Sequence, residues 1–316
     1  MRCIVTGGAG FIGSHLVDRF LELNHNVAVI DDFSLGKEEN LKQHHNSQNF
    51  SLYRRSICGE ISDIFEKEHP DIVFHLAARP RVQFSIQNPV LTHDINVNGA
   101  HNLLDACRKA GVRRFVFSSS SSVYGNQETL PLRENMTPNP LSPYALHKLI
   151  GEQYCKIFSS LYGLETVSLR YFNVYGPRQD SSGDYSCLIP KFISLVSQGK
   201  QPAIFGDGTN TRDFTYVADV VAANVAAADK ANTHCNGEVF NIGAGRNKSV
   251  NDVTELILKM AKSTIMPLHA PPVIEAKDSL ADISKAKSFL GWQPRVSFEK
   301  GLNLTYDYFA ASAKAI

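Results

Sequence analysis

The sequence has almost no surplus of charge: 32 Lys and Arg stand against 31 Asp and Glu in 316 residues, a formal charge of +1. Surfaces that coat nucleic acid and polybasic membrane anchors depend on excess positive charge, so both are excluded and any anionic ligand must be met by a local site. Cysteine is sparse. The six (Cys3, Cys58, Cys107, Cys155, Cys187, Cys235) lie far apart, with no Cys-x-x-Cys pair and no His at metal-ligand spacing. That excludes a disulfide framework and a cysteine metal centre, and predicts six reduced, mostly buried thiols. No apolar run approaches the ~20 residues that cross a bilayer. The N-terminus runs straight into a Gly-rich turn, with no room for a signal-peptide apolar region. A soluble, cytoplasmic protein is expected. There is no internal repeat and no low-complexity segment. What is present is 43% apolar residues in a chain long enough to bury roughly 75% of its unfolded surface.

Short apolar runs alternate with amphipathic stretches through the first half. Residues 3–5, 26–30, 71–75, 114–118 and 166–170 are rich in β-branched or aromatic side chains and predict buried parallel strands. Residues 11–23, 89–110 and 143–162 have helical period and predict crossover helices. This order implies a doubly wound, Rossmann-type α/β sheet. Beyond about residue 176 the order loosens through Gly183, Gly199, Gly206 and Gly208, with helices expected at 217–230 and 250–262 and a loop at 267–272. Residues 1–176 are read as a dinucleotide-binding domain, to which segments near 212–243 return. Residues 177–316 are read as a smaller mixed α/β substrate domain.

Gly7, Gly10 and Gly13 follow the first strand and open the first helix, in Thr6-Gly7-Gly8-Ala9-Gly10-Phe11-Ile12-Gly13. A tight turn, close approach of a pyrophosphate and close helix packing each need a missing Cβ, and the helix N-terminus then faces the phosphates. The second strand ends at Asp31-Asp32, about 20 residues on, where a carboxylate can bond ribose hydroxyls. Asp31 would repel a 2′-phosphate, which favours NAD over NADP. Asp32 is expected mainly to cap the following turn. The end of the third strand, Arg55-Ser56-Ile57, is expected near the adenine.

Tyr144 and Lys148, at i and i+4, share one helical face. An ammonium and a nicotinamide cation beside a phenol both favour the phenolate, so the pair makes a proton shuttle. The hydroxyl-rich run from Ser118 to Ser122 lies at the carboxyl edge of the sheet, where ligands bind in such folds.

With the run from Arg170 to Arg178, Phe205-Gly206-Asp207-Gly208-x-x-x-Arg212-Asp213-Phe214 and Leu280-Ala281-Asp282, these motifs resemble the extended short-chain dehydrogenase/reductase family over essentially the whole chain. Within it the chain is most similar to nucleotide-sugar 4-epimerases of the UDP-galactose and UDP-N-acetylglucosamine type. The resemblance implies tightly held NAD and a catalytic trio of Ser120, Tyr144 and Lys148. It places Gly7, Gly10, Phe11, Ile12, Gly13, Asp31, Asp32, Ser56, Ile57, Leu76, Ala77, Ala78, Ser118 and Tyr171 around the cofactor, together with Tyr144 and Lys148. It assigns Asn173 and Arg212 to the substrate diphosphate, and Ala203, Ile204 and Phe205 to the uracil.

Sister enzymes on this scaffold eliminate water or carboxylate, and the resemblance gives them an Asp and Glu after the catalytic Ser/Thr, or a Glu two residues before the tyrosine of Val-Tyr-Gly. Ser121 and Ser122 occupy those positions here, which favours simple 4-epimerisation. Ser279 maps onto the family's size gate, where a small residue leaves space for a 2-N-acetyl group. UDP-GlcNAc/UDP-GalNAc is therefore the expected pair, with UDP-glucose/UDP-galactose or UDP-glucuronate as alternatives and a non-catalytic NAD- or nucleotide-sugar-binding regulator as the rival class. Lys277 stands where many relatives have an Arg on the diphosphate, and Ser56 where they have an acidic adenine contact. Arg81 is read either as a solvated surface residue or as a partner for a C6 carboxylate. The helices at 89–110 and 143–162 resemble those with which family members pair as homodimers. Leu103, Leu104, Leu149 and Ile157 on them are equally compatible with core packing.

Overall fold

The computed structural model describes residues 1–181, 187–229, 231, 233–272 and 276–314; Gly183 and Lys230 lie outside them. The first half reads β1 (Arg2–Thr6), α1 (Phe11–Glu22), β2 (Asn26–Ile30), β3 (Phe50–Tyr53), α2 (Ser62–Glu68), β4 (Ile72–His75), α3 (Val82–Gln87), α4 (Pro89–His93), α5 (Gly99–Lys109), β5 (Arg114–Ser120), α6 (Pro143–Tyr162), β6 (Glu165–Tyr171) and β7 (Val174–Tyr175). The second half reads α7 (Leu188–Ser197), β8 (Ala203–Phe205), β9 (Thr211–Arg212), β10 (Thr215–Tyr216), α8 (Val217–Ala228), β11 (Glu238–Ile242), β12 (Lys248–Ser249), α9 (Val250–Met260), β13 (Leu268–Ala270), α10 (Ser284–Leu290) and α11 (Phe298–Lys314).

Seven strands form one sheet in the order β11-β6-β5-β4-β1-β2-β3, and every neighbouring pair is parallel. β1, β2, β4 and β5 are almost entirely buried, as a sheet covered by helices on both faces requires. One core layer carries Leu16, Phe20, Phe74 and Val220, and the other Ile64, Leu103, Phe115 and Phe158. The strand order reverses direction between β1 and β4, which opens a crevice at their carboxyl ends. A third core cluster, with Ile189, Phe192, Ile204, Phe214 and Ile257, packs the second-half elements over that crevice. β11 returns from the second half to pair with β6.

Three expectations are corrected. The stretch 89–110 is not one regular helix: a π-helical turn at Asp94–Asn98 separates α4 from α5. There the Asn96 side chain accepts from Arg79 N–H at 2.7 Å and donates to Arg79 O at 3.1 Å, drawing the helix onto the loop after β4. β3 ends at Tyr53, so Arg55–Ile57 is a turn beyond the strand rather than its end. Residues 267–272 hold β13, paired in parallel with β8. The thiols divide unevenly: all six are free, with Cys58 and Cys187 exposed. Among the described residues no helix is long and apolar enough to cross a membrane.

Candidate active site

The carboxyl ends of β1, β2, β4 and β5 and the second-half elements enclose a cavity of about 960 Å³. At its floor Gly7 turns the chain at φ +69°, and a Cβ there would lie 2.7 Å from Ala77 N. A Cβ on Gly13 would come to 2.2 Å from Gly7 O. No side chain caps Gly10 at the N-terminus of α1, so the first turn of the helix faces the cavity with its partial positive charge. Phe11 and Ile12 line the same wall.

Asp31 Oδ2 accepts Ala9 N–H at 2.9 Å and Oδ1 accepts Phe33 N–H at 2.8 Å, which fixes the carboxylate at the end of β2 with lone pairs left for a ligand. Burial pushes its pKa up, and the two N–H donors pull it back. Asp32 caps the next turn by accepting Ser34 N–H at 2.9 Å, as expected. Ser56 caps its own turn through Cys58 N–H at 3.2 Å, beside Ile57 on the cavity wall. Leu76, Ala77 and Ala78 line the floor, where Thr6 holds Leu76 N–H at 3.1 Å and Ala77 N–H at 3.3 Å. A glycine turn with no room for a Cβ, an uncapped helix start and a buried carboxylate fit a dinucleotide.

Ser120, Tyr144 and Lys148 all line the cavity. Pro143 at the start of α6, with Ser142 accepting Ala145 N–H at 3.2 Å, sets the first turn that carries Tyr144. The Ser85 hydroxyl accepts Tyr144 N–H at 3.1 Å. Burial pushes the phenol up to about 12, partly opposed by the Ser120 hydroxyl. The Ser120 hydroxyl accepts from Ser122 N–H at 3.2 Å and from the Ser122 hydroxyl at 2.9 Å, so Ser122 orients it. Lys148 donates to Ser118 O at 2.5 Å, while Ser118 donates to His75 O at 2.8 Å. Burial drives Lys148 down to about 8, and the Glu152 carboxylate one turn on opposes that. Its ammonium is 5.9 Å from the Tyr144 ring centre. Tyr171 closes this part of the cavity, its hydroxyl tied to Asn224 at 2.9 Å.

The wall formed by the second-half elements is drawn together by hydrogen bonds rather than by sequence neighbourhood. Asn173, at φ +28°, donates to Ser279 Oγ at 3.1 Å and to Asp213 O at 3.3 Å. Ser279 is thus buried and wired into the wall, not an exposed loop serine. Ala203, Ile204 and Phe205 on β8 and Arg212 on β9 also line the cavity. Arg212 donates to Lys277 O at 2.7 Å and Thr211 O at 2.8 Å. Lys277 is exposed and is not among the described residues that line the cavity, and its carbonyl accepts from Arg212. Arg81 is not a solvated surface residue, because it is ion-paired to Asp180 and both line the cavity. Two contributors were missed. Asp213 accepts N–H groups from Ala244, Gly245 and Ala281 at 2.6, 3.0 and 3.0 Å. Asp180 and the first turn of α7 form a further wall, for which the apolar run Leu188-Ile189 was the one local signal.

A parallel sheet with this cradle and a Ser-Tyr-Lys trio on one cavity defines a dinucleotide-dependent enzyme. Residues 3–243 match the NAD dependent epimerase/dehydratase family, and the chain belongs to it. The UDP-glucose 4-epimerase of Thermotoga maritima, solved with UDP-glucose, is 41% identical with TM-score 0.94, covering 99% of both chains. The UDP-N-acetylglucosamine 4-epimerase of Methanobrevibacter ruminantium, in complex with UDP-N-acetylmuramic acid, is 38% identical with TM-score 0.92 over 98% of both. The UDP-glucuronic acid 4-epimerase of Bacillus cereus, with UDP-glucuronic acid and NAD, is 35% identical with TM-score 0.92 over 99% of this chain and 100% of that one. The chain stands with the UDP-sugar 4-epimerases, and its cofactor is NAD.

Proposed function

We propose that this enzyme inverts C4 of UDP-N-acetylglucosamine and UDP-N-acetylgalactosamine, with residues 1–176 and β11 holding NAD and the later elements holding the UDP-sugar. The reading is carried by the joint placement of Ser120, Tyr144 and Lys148 on one cavity with a small, buried Ser279 at its substrate end. NAD, when bound, accepts and returns the hydrogen at C4 and brings a positive ring that favours the phenolate. Tyr144 Oη takes the proton from O4 and gives it back after the sugar turns, with Ser120 Oγ as relay. Lys148 holds the nicotinamide ribose and adds positive charge on the side of Tyr144. The fork of Arg212 and the amide of Asn173 bind the diphosphate that tethers the turning sugar. Ser121 and Ser122 supply no carboxylate for elimination. The carboxylates among the described lining residues are Asp31, Asp32, Asp180 and Asp278. Asp278 Oδ1 is held by Thr211 N–H at 3.0 Å, and Asp180 is paired with Arg81.

Leu103 and Leu104 fill the core, whereas Val90, Leu146, Ile157, Leu161 and Tyr162 are exposed along α4 and α6 and suit pairing of two copies in the cytoplasm. Purified protein incubated with UDP-N-acetylglucosamine and followed by NMR should produce UDP-N-acetylgalactosamine, and should sediment as two chains. No product from it, alongside turnover of UDP-glucose or UDP-glucuronate, overturns the sugar assignment; sedimentation as one chain overturns the pairing.

A further inference from the structure

We propose that Asp180 sets the charge specificity of the cavity's sugar end: its carboxylate neutralises Arg81, so the site takes an uncharged sugar and disfavours one carrying a carboxylate at C6. The inference rests on the UDP-sugar reading above and sharpens it. Arg81 is fixed at that end by the chain itself. It is the N-cap of α3, its carbonyl accepts Ser85 N–H at 3.0 Å, and the Ser85 hydroxyl accepts Tyr144 N–H at 3.1 Å. One helical turn therefore links the arginine to the backbone of the proton-carrying tyrosine. Arg81 and Asp180 line the same cavity as Ser120, Tyr144 and Cys187.

Asp180 reaches the same place from 99 residues away, on the segment that follows Arg178. The two side chains form an ion pair, 24% and 36% exposed, and both line the cavity. An arginine at this place would by itself present a planar fork suited to a carboxylate. Paired with Asp180, its charge is balanced within the pair. An incoming carboxylate must then displace Asp180 or lie beside it, and like-charge juxtaposition is a device by which sites reject the wrong ligand.

Calorimetric binding of UDP-N-acetylglucosamine and UDP-glucuronate to the NAD-loaded protein tests this in the wild type, Asp180→Asn and Asp180→Asn/Arg81→Met. Both side chains sit at the cavity surface, so neither variant opens a core. Asp180→Asn should improve binding of UDP-glucuronate relative to UDP-N-acetylglucosamine by about tenfold or more, the scale of one charge-assisted hydrogen bond. The double variant should lose that gain. An unchanged ratio, or a gain that survives removal of Arg81, overturns the proposal while leaving the UDP-sugar reading intact. A wild type that binds neither UDP-sugar overturns that reading, and this inference with it.

Discussion

At the scale of single residues, burial sets the protonation of the site more than neighbouring charge does. His75 lies under the Gly7 turn with Nδ1 2.9 Å from the Thr6 hydroxyl, and burial holds its pKa down at about 3, with Lys148 adding to the effect. The unfolded chain takes up a proton near the ordinary value of 6.5 that the folded ring refuses until about pH 3. Unfolded protein therefore binds more protons across that window, and stability rises with pH through it. In chemical denaturation, the stability advantage of wild type over His75→Gln should shrink by about 1.4 kcal/mol per pH unit as pH falls from 6 to 4. A constant difference would mean that the ring titrates alike in both states. Burial likewise lowers the Lys148 pKa, and the Glu152 carboxylate opposes that. Glu152 is buried, accepts Arg170 Nε at 2.9 Å and Nη2 at 2.7 Å, and bonds Ser119, so it stabilises the Lys148 ammonium while fixing the strand that carries Ser120.

At the scale of elements, the contact of α6 with β5 decides where Tyr144 and Lys148 stand. Gly151 makes that contact, and a Cβ on it would lie 2.3 Å from the Phe117 ring. Gly151→Ala should push the helix off the strand at a cost of about 1–3 kcal/mol, as overpacking generally does. Its kcat should fall more than its KM changes, because the trio moves while Asn173 and Arg212 do not. Unaltered kcat would show that the contact has slack. The legibility of the sequence follows the same division. The run 143–162 could be read because its 3.6-residue period, Pro143 and the serine before it are all local signals. The interruption of 89–110 could not, because its cause is Asn96 reaching Arg79, 17 residues away. β13 was hidden because its three residues are strand only through pairing with β8. The trio was legible from a strand end and a helical spacing. Asp180 and Asp213 were not, because their partners lie 99 and between 31 and 68 residues away.

At the scale of the whole molecule, the sheet supplies a rigid edge at which β1, β2, β4 and β5 end together, and the later elements form the facing wall. Near-zero net charge suits this arrangement: Asp31 lines the cavity at the end of β2, Arg212 lines it on β9, and Arg81 is paired with Asp180. The central claim is that C4 is oxidised and reduced within one cavity. UDP-N-acetylglucosamine deuterated at C4, incubated in ordinary water and analysed by mass spectrometry and NMR, tests it most directly. The account predicts that the C4 epimer forms with its deuterium retained at C4; epimer that has exchanged that deuterium for solvent hydrogen would contradict it.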